Sequence, residues 1–463
     1  MKGLLIISGL GLVAMLAEIF KFKRLLLPLV LLGVLAAFGL NFMEWKEGMS
    51  ISYFDNMIGF DKVAIAFSGI ILVTAFFWFI LANDYFEADN SLVDHFALVL
   101  FALVGALMLT AFKNMTTLFL GIEIMSIPMY VLAASKKNDT RSNEAGFKYL
   151  IMGSFASAFL LFGIALVYGA TKSFDLEVIR TYIATNSMDA PMFFYAGVVM
   201  ILVAMCFKVS AAPFHFWAPD VYEGSPTLVT ALMSTVVKTA AFAAFLRLFM
   251  LGFGSTDALW NSLLALMIAL SLIIANFSAA MQSSVKRMLA YSSISHAGFM
   301  LMVILANVRT NMSVDALIYY SLAYSIGSIA AFGVLYNVGK SGNETFEAFY
   351  GLGKRNPLLA LCMTVAMLSL AGIPVTAGFF AKYFVFTTMI GTPYKWLLIL
   401  AVITSAVGAF YYLKVVIAMY FKEPAQTEPV TIEKSNTVVI ALATVITVVL
   451  GIVPGVIAEM FAF

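Results

Sequence analysis

Long runs of apolar residues, separated by short polar or charged segments, recur along this chain almost from one end to the other. A run of about 20 residues is enough to cross the roughly 30 Å hydrocarbon core of a bilayer as a helix rising about 1.5 Å per residue. Bounding the runs by charge, proline or glycine predicts fourteen spans. The first seven cover 3–20, 24–43, 62–82, 95–112, 115–134, 146–169 and 192–219, and the rest cover 226–251, 259–280, 285–306, 314–338, 357–391, 395–421 and 436–459. The first run is followed by Lys21, Lys23 and Arg24 and has no clear small-residue cleavage site. It therefore reads as a retained span, not a signal peptide. The fold expected is an all-α polytopic membrane protein.

Two of the spans are too long and carry proline. The seventh contains Lys208-Val-Ser-Ala-Ala-Pro213-Phe-His215-Phe-Trp-Ala-Pro219, and the twelfth contains Ala371-Gly-Ile-Pro374-Val-Thr-Ala-Gly378-Phe-Phe-Ala-Lys382. Proline removes a backbone hydrogen bond and clashes with the preceding turn, so free carbonyls are expected at membrane depth, tolerated only inside protein or beside a wet cavity. The broken spans are five apart in order, and an odd offset reverses the direction of crossing. That is the pattern of inverted-topology repeats whose discontinuous helices form ion sites. It predicts 1–94 as spans 1–3, 95–251 as a first repeat of spans 4–8, 259–421 as a second repeat of spans 9–13, and 436–463 as the last span. Proline kinks made only for packing give the same breaks, so the repeats need support from the charges.

Composition agrees with the pattern: 62% of the 463 residues are apolar and 11% charged, against roughly 45–50% and about 25% in soluble domains. The net charge of +2 shows no basic cluster on a soluble face, so nucleic acid is not an expected partner. Two cysteines, Cys206 and Cys362, are too few for the four thiolates of an iron–sulfur cluster. Loops after odd-numbered spans hold Lys21, Lys23, Arg24, Lys136, Lys137, Arg141, Lys286, Arg287, Lys340, Lys354, Arg355, Lys422 and Lys434. The other loops and the termini hold Lys2, Lys46, Lys113, Lys172, Arg180, Arg247, Arg309 and Lys395. The positive-inside bias then puts both termini outside the cytoplasm.

Four ionisable residues lie deep in apolar text: Glu123, Lys208, Lys238 and Lys382. One such group at a helix centre costs about 2.5–3.5 kcal/mol, so four without partners would cost on the order of 10 kcal/mol. They need partners or water. A carboxylate such as Glu123 beside Lys208 would hold the ammonium charged, and a desolvated lysine, unlike arginine, can release its proton near neutral pH. The bland alternative is that such residues staple helices or snorkel to an interface, which suits Lys286, Arg287 and Arg247 near span ends. Depth and number favour function for the four. His296, in Ala-Tyr-Ser-Ser-Ile-Ser-His, and His215 are candidates to shuttle protons, although a membrane histidine often only bonds helices together. Lys148 is a further candidate. Gly9-Leu-Gly11 lies in an apolar helix with no strand before it, and no phosphate loop, zinc motif or nucleophile elbow occurs.

Glu123 within Gly-Ile-Glu-Ile-Met-Ser-Ile-Pro, Lys208 ahead of Pro213-Phe-His-Phe-Trp-Ala-Pro-Asp-Val-Tyr-Glu-Gly-Ser-Pro226, Lys238, and the serine run ending at His296 together resemble the antiporter-like subunits of respiratory complex I. That family also holds subunits of multisubunit sodium/proton antiporters and membrane-bound hydrogenases. Three features are similar to its subunit N branch, which includes mitochondrial NADH dehydrogenase subunit 2: Lys382 where the M branch typically has glutamate, an end just after the fourteenth span without the lateral helix of the L branch, and the Pro-Asp-Val-Tyr-Glu-Gly run. The resemblance implies a Glu123–Lys208 ion pair in a first half-channel, Lys238 and His296 as central relay, and Lys382 as the terminal site. It also implies a bacterial-type inner membrane, since animal mitochondrial versions lack the first spans. No cofactor or metal is expected in this chain. NADH, FMN, iron–sulfur clusters and quinone would sit in partner subunits, reached through neighbouring antiporter-like subunits and the smaller membrane subunits on the quinone side. A sodium/proton antiporter and a purely structural anchor are the alternatives. The spans offer few extra carboxylates for sodium, which argues weakly against the first, and the second leaves the buried charges unexplained.

Overall fold

The computed structural model describes residues 1–47, 51–88, 91–186, 190–307, 312–423 and 429–455; Arg309 and residues 456–459 of the last expected span lie outside them. In chain order the helices are α1 (Lys2–Leu16), α2 (Lys23–Glu47), α3 (Lys62–Ala88), α4 (Leu92–Ala111), α5 (Met115–Ala133), α6 (Thr140–Thr171), α7 (Leu176–Asn186), α8 (Met192–Lys208), α9 (Trp217–Gly224) and α10 (Thr227–Leu232). A π-helical turn, Met233–Val237, leads into α11 (Lys238–Arg247). Then follow α12 (Asp257–Ala280), α13 (Val285–Asn307), α14 (Met312–Val338), α15 (Leu352–Arg355), α16 (Pro357–Ala371), α17 (Ala377–Ile390), α18 (Lys395–Phe421) and α19 (Lys434–Ile452).

Eleven helices among the described residues are long and apolar enough to cross a membrane, and four shorter apolar ones, α1, α8, α16 and α17, accompany them. The chain is a helical polytopic membrane protein. In lipid each backbone N–H and C=O must be satisfied within the span, which is why these runs become helices. Side chains help at the ends: Asn114, Asp139 and Asn356 cap α5, α6 and α16, and Pro357 opens α16 where its missing N–H costs nothing.

Two features depart from an all-α reading of long spans. Strands β1 (Ile51–Tyr53) and β2 (Ile58–Phe60) form an antiparallel hairpin. Its turn holds Phe54, Asp55 and Asn56 at positive φ. The amphipathic helix α7 is too short to span. It buries Leu176, Ile179 and Ile183 on one face and is capped by Asp175, which accepts from the Glu177 and Val178 amides.

The chain forms two compact units, one of Met1–Ser210 with Val236–Leu264 and the other of Ala211–Thr235 with Ala265–Phe463. In the first, helices meet at glycine. A Cβ on Gly105 would lie 2.4 Å from the Met125 amide nitrogen, and one on Gly163 or Gly197 would lie below 3 Å from the other's carbonyl oxygen. Close backbone contact of this kind is how membrane helices gain packing energy without a hydrophobic drive between them. Arg247, 2% exposed, ties α11 to the start of α3 through Asp61 and to the end of α4 by donating to the Thr110 carbonyl at 2.5 Å. In the second unit, α13 and α14 are buried nearly throughout, whereas α18 keeps one face open with Phe410, Leu413 and Ile417. Arg287 holds Asp220 at 3.1 Å and also Glu223, while Lys286 donates to the Ser225 carbonyl at 2.7 Å and meets Glu344 at 3.2 Å. Both residues act as staples between the α9 end and the start of α13.

Candidate functional site

In the first unit the buried Lys208 and the half-buried Glu123 come together where α5, α6 and α8 meet. Lys208 is the last residue of α8 and is 8% exposed. Its ammonium donates to Ser126 Oγ at 2.5 Å, and the Ser126 hydroxyl donates to the Ile122 carbonyl. Glu123, on the same helix, accepts from Ser157 Oγ of α6 at 2.5 Å. The expected direct Glu123–Lys208 ion pair does not close. Ser126 follows Glu123 by three residues and therefore shares its face, so the serine stands at the lysine while the carboxylate turns to Ser157. The two charges stay close enough to act on one another. Pro128 inside α5 frees the Ile124 carbonyl beside Glu123. The Tyr130 hydroxyl, one turn beyond Ser126, is buried, and a Cβ on Gly153 would lie 2.2 Å from it.

Lys238 is 2% exposed and opens α11 directly after the π-helical turn Met233–Val237. Single π turns in α-helices are frequent at functional sites because they disturb the backbone ladder. Lys148 differs from the other lysines. It is 39% exposed on α6 and pairs with Glu144, four residues earlier, at 2.7 Å.

The two prolines singled out in the sequence both sit in breaks. Pro213 lies in the non-helical segment between α8 and α9, after a cis Ala212–Pro213 bond, and the Ala212 amide there donates to Ser271 Oγ at 2.8 Å. His215 packs in the same segment, 3% exposed, with no partner for Nδ1 among the described residues. Pro374 lies between α16 and α17. Gly372, at φ +84°, ends α16 in the left-handed conformation, its amide bonding back to Leu368 and Ser369 carbonyls. Lys382 of α17, 7% exposed, reaches back across this break. Its stem packs on Gly372, and its ammonium donates to the Ala371 carbonyl at 2.8 Å and lies 5.0 Å from the Phe299 ring centroid. The lysine thus meets the negative end of the α16 dipole, where a cation is favoured.

His296 of α13 is held between two phenols, with Nδ1 2.7 Å from Tyr320 Oη and Nε2 3.1 Å from Tyr412 Oη. Ser292 bonds the same Tyr412 hydroxyl. Sequence reasoning passed over Ser126, Ser157, Tyr320 and Tyr412. Ser126 alone carried a usable signal, its spacing of three from Glu123. No group of three or more His, Cys, Asp or Glu that could hold a metal is found among the described residues.

Residues 113–408 match the family described as NADH:quinone oxidoreductase/Mrp antiporter, transmembrane. The chain is 41% identical over 462 residues to NADH-quinone oxidoreductase subunit N of Flavobacterium psychrophilum, covering 99% of this chain and 100% of the relative. It is 40% identical to the protein of the same name in Cytophaga hutchinsonii, with 99% of both covered. Among solved structures, a chain of respiratory complex I from Thermus thermophilus superposes with a TM-score of 0.84 at 33% identity, over 99% of this chain and 98% of that one. A chain of the Mrp complex from Dietzia reaches a TM-score of 0.88 at 18% identity, over 99% and 95%, a likeness of fold.

Proposed function

The chain belongs to the NADH:quinone oxidoreductase/Mrp antiporter family, on its subunit N branch, and we propose that it moves protons across the bacterial inner membrane along Glu123, Lys208, Lys238, His296 and Lys382. His215 and Lys148 stand at the margin of this set. The chain works as a subunit of NADH:quinone oxidoreductase, among other membrane subunits. NADH, FMN, iron–sulfur clusters and quinone belong to its partners on this reading, and quinone reduction there supplies the energy.

The observation that carries the reading is that Lys208 and Lys382 are each more than nine-tenths buried at a broken helix and, among the described residues, each donates to a neutral oxygen. Insertion costs of about 2.5–3.5 kcal/mol per charge make such placement expensive for a merely structural residue. A lysine bonded to one hydroxyl or carbonyl, with no carboxylate closed upon it, is free to exchange its proton. Ser126 and Ser157 would link Glu123 and Lys208 through hydroxyls, which pass protons by taking one as they give another. The same proposal extends to fourteen spans. Of these, 1–94 holds the first three, 95–251 and 259–421 form inverted repeats around the two breaks, and 436–463 holds the last, with both termini on the non-cytoplasmic side.

Lys208→Ala in the assembled complex, reconstituted into proteoliposomes, tests the relay. The complex is expected to assemble while coupled NADH oxidation and proton pumping fall together. Full oxidation with a normal proton gradient would remove Lys208 from the path.

A further inference from the structure

We infer that the end of α19, keyed by Tyr319, sets the geometry of the break between α16 and α17, so that Tyr319 and Gly451 are positioning residues for Lys382. The inference rests on the terminal place of Lys382 in the relay proposed above.

The break carries strain that something must hold. Gly372 takes φ +84° readily, but Val375 sits at φ +74°, a conformation that a β-branched side chain resists. Residues in such regions persist only where their surroundings over-determine them. Val375 is 60% exposed, so its own side chain supplies little of that constraint. The next residue supplies more. Thr376 is 5% exposed, its hydroxyl donates to the Ile373 carbonyl at 2.6 Å, and its carbonyl accepts from the Phe379 amide at 3.2 Å as α17 begins. The last turn of α19 bears directly on its backbone: a Cβ on Gly451 would stand 2.4 Å from Thr376 Cα and C and 2.5 Å from its nitrogen. Carbons rest about 3.5–4.0 Å apart, so a residue without a side chain is what lets α19 lie there.

Gly451 is held at that height by its neighbour. The Leu450 carbonyl has no intrahelical donor, because the residue four ahead is Pro454, which has no N–H. It accepts instead from Tyr319 Oη at 2.8 Å. Tyr319, 3% exposed on α14, also meets the Phe384 ring of α17 edge-on, centroids 5.1 Å apart, two residues beyond Lys382. One tyrosine thereby fixes α19 against the break and α17 beyond it. Between these two points lies Lys382, whose ammonium reaches back to the Ala371 carbonyl at 2.8 Å. A shift of about 1 Å in Thr376 or α17 takes that contact out of hydrogen-bonding range. Stability alone would explain a close glycine contact. It does not explain why that contact, a buried phenol and backbone strain coincide at the break that Lys382 spans.

The test uses the assembled complex in proteoliposomes, with Lys382→Met alongside. Tyr319→Phe keeps the ring beside Phe384 and removes the bond to Leu450. It is expected to assemble, to melt close to the parent and to oxidise NADH, while the gradient formed per NADH falls about two- to tenfold, the weight of one ordinary hydrogen bond. Gly451→Ala is expected to lower it on the order of 10²-fold, as a misplacement of about 1 Å can. Thr447→Val is the control: it removes a hydroxyl bond within the same helix, to the Ala443 carbonyl at 2.8 Å, one turn before Gly451, and should pump as the parent does. The pH dependence of pumping, which reads the hold on the Lys382 nitrogen, should be displaced in Tyr319→Phe and unmoved in Thr447→Val. A normal gradient per NADH or an undisplaced pH profile in Tyr319→Phe, or an equal loss in Thr447→Val, would each overturn the positioning role. If Lys382→Met collapses the gradient while Tyr319→Phe pumps normally, the relay stands and the positioning falls. If Lys382→Met itself pumps normally, both fall. Should Gly451→Ala fail to assemble, Tyr319→Phe decides alone.

Discussion

Lys382→Met offers a separation of folding from function, because the energetic terms oppose one another. The substitution removes an ammonium that donates to the Ala371 carbonyl at 2.8 Å and faces the Phe299 ring at 5.0 Å. Losing a hydrogen bond from a charged donor costs about 1.5–3 kcal/mol, and losing the ring contact about 0.5–2 kcal/mol. Against this, a charge at membrane depth that carries an insertion cost of about 2.5–3.5 kcal/mol disappears. Methionine fills nearly the same volume beside Gly372. The net change is within about 1–2 kcal/mol of zero, so the complex should assemble and melt close to the parent. If Lys382 ends the relay, the gradient formed per NADH oxidised should nevertheless collapse. Lys382→Arg sharpens the case: it keeps the charge, the donor and the ring contact, but cannot deprotonate. Purified complex in proteoliposomes, with parallel readings of NADH oxidation, lumenal pH and thermal unfolding, decides the matter. Normal pumping by Lys382→Arg would refute the release step, and normal pumping by Lys382→Met would refute the site itself.

Two further outcomes follow from packing. Gly378→Ala would place a Cβ 1.7 Å from the Ser369 carbonyl oxygen, forcing α16 and α17 apart, so assembled complex should be scarce and melt early. Gly391→Ala, with nothing within 4 Å of the added carbon, should match the parent in the same melting experiment, and equal behaviour of the two variants would contradict the close approach. Asp61→Asn should destabilise the first unit toward the low end of the roughly 3–5 kcal/mol that breaking a buried pair costs, because Arg247 remains 2% exposed with its main counter-charge gone, whereas Asp61 itself is 31% exposed. Unchanged unfolding in graded detergent would show that the pair contributes nothing.

What the sequence made legible was what local chemistry dictates. Apolar runs announced the spans, Pro213 and Pro374 announced both breaks, and the lysines stood out because charge is rare in such text. What stayed hidden depends on how helices are rotated against each other. Serine and tyrosine are common in apolar spans, and nothing local says that Ser157 meets Glu123 or that Tyr320 and Tyr412 enclose His296. The direct Glu123–Lys208 pair was expected because opposite charges attract, but the shared face of Glu123 and Ser126 gave the lysine a nearer oxygen. Helix α7 was legible in principle, its buried Leu176, Ile179 and Ile183 falling at helical spacing, but eleven residues are too few to register as a span.

The contact between Lys382 and the Ala371 carbonyl joins two events that are usually separate. An ordinary helix terminus is closed by groups whose chemistry never changes, so its geometry is fixed once the chain has folded. Here the Ala371 carbonyl at the end of α16 is bonded by a side chain whose charge would change on the proposed relay. Any loss of that charge weakens the closure in the same instant, and any loosening of the closure alters the hold on the charge. If Lys382 ends the relay, a proton step at this nitrogen would therefore also bear on the end of α16 directly.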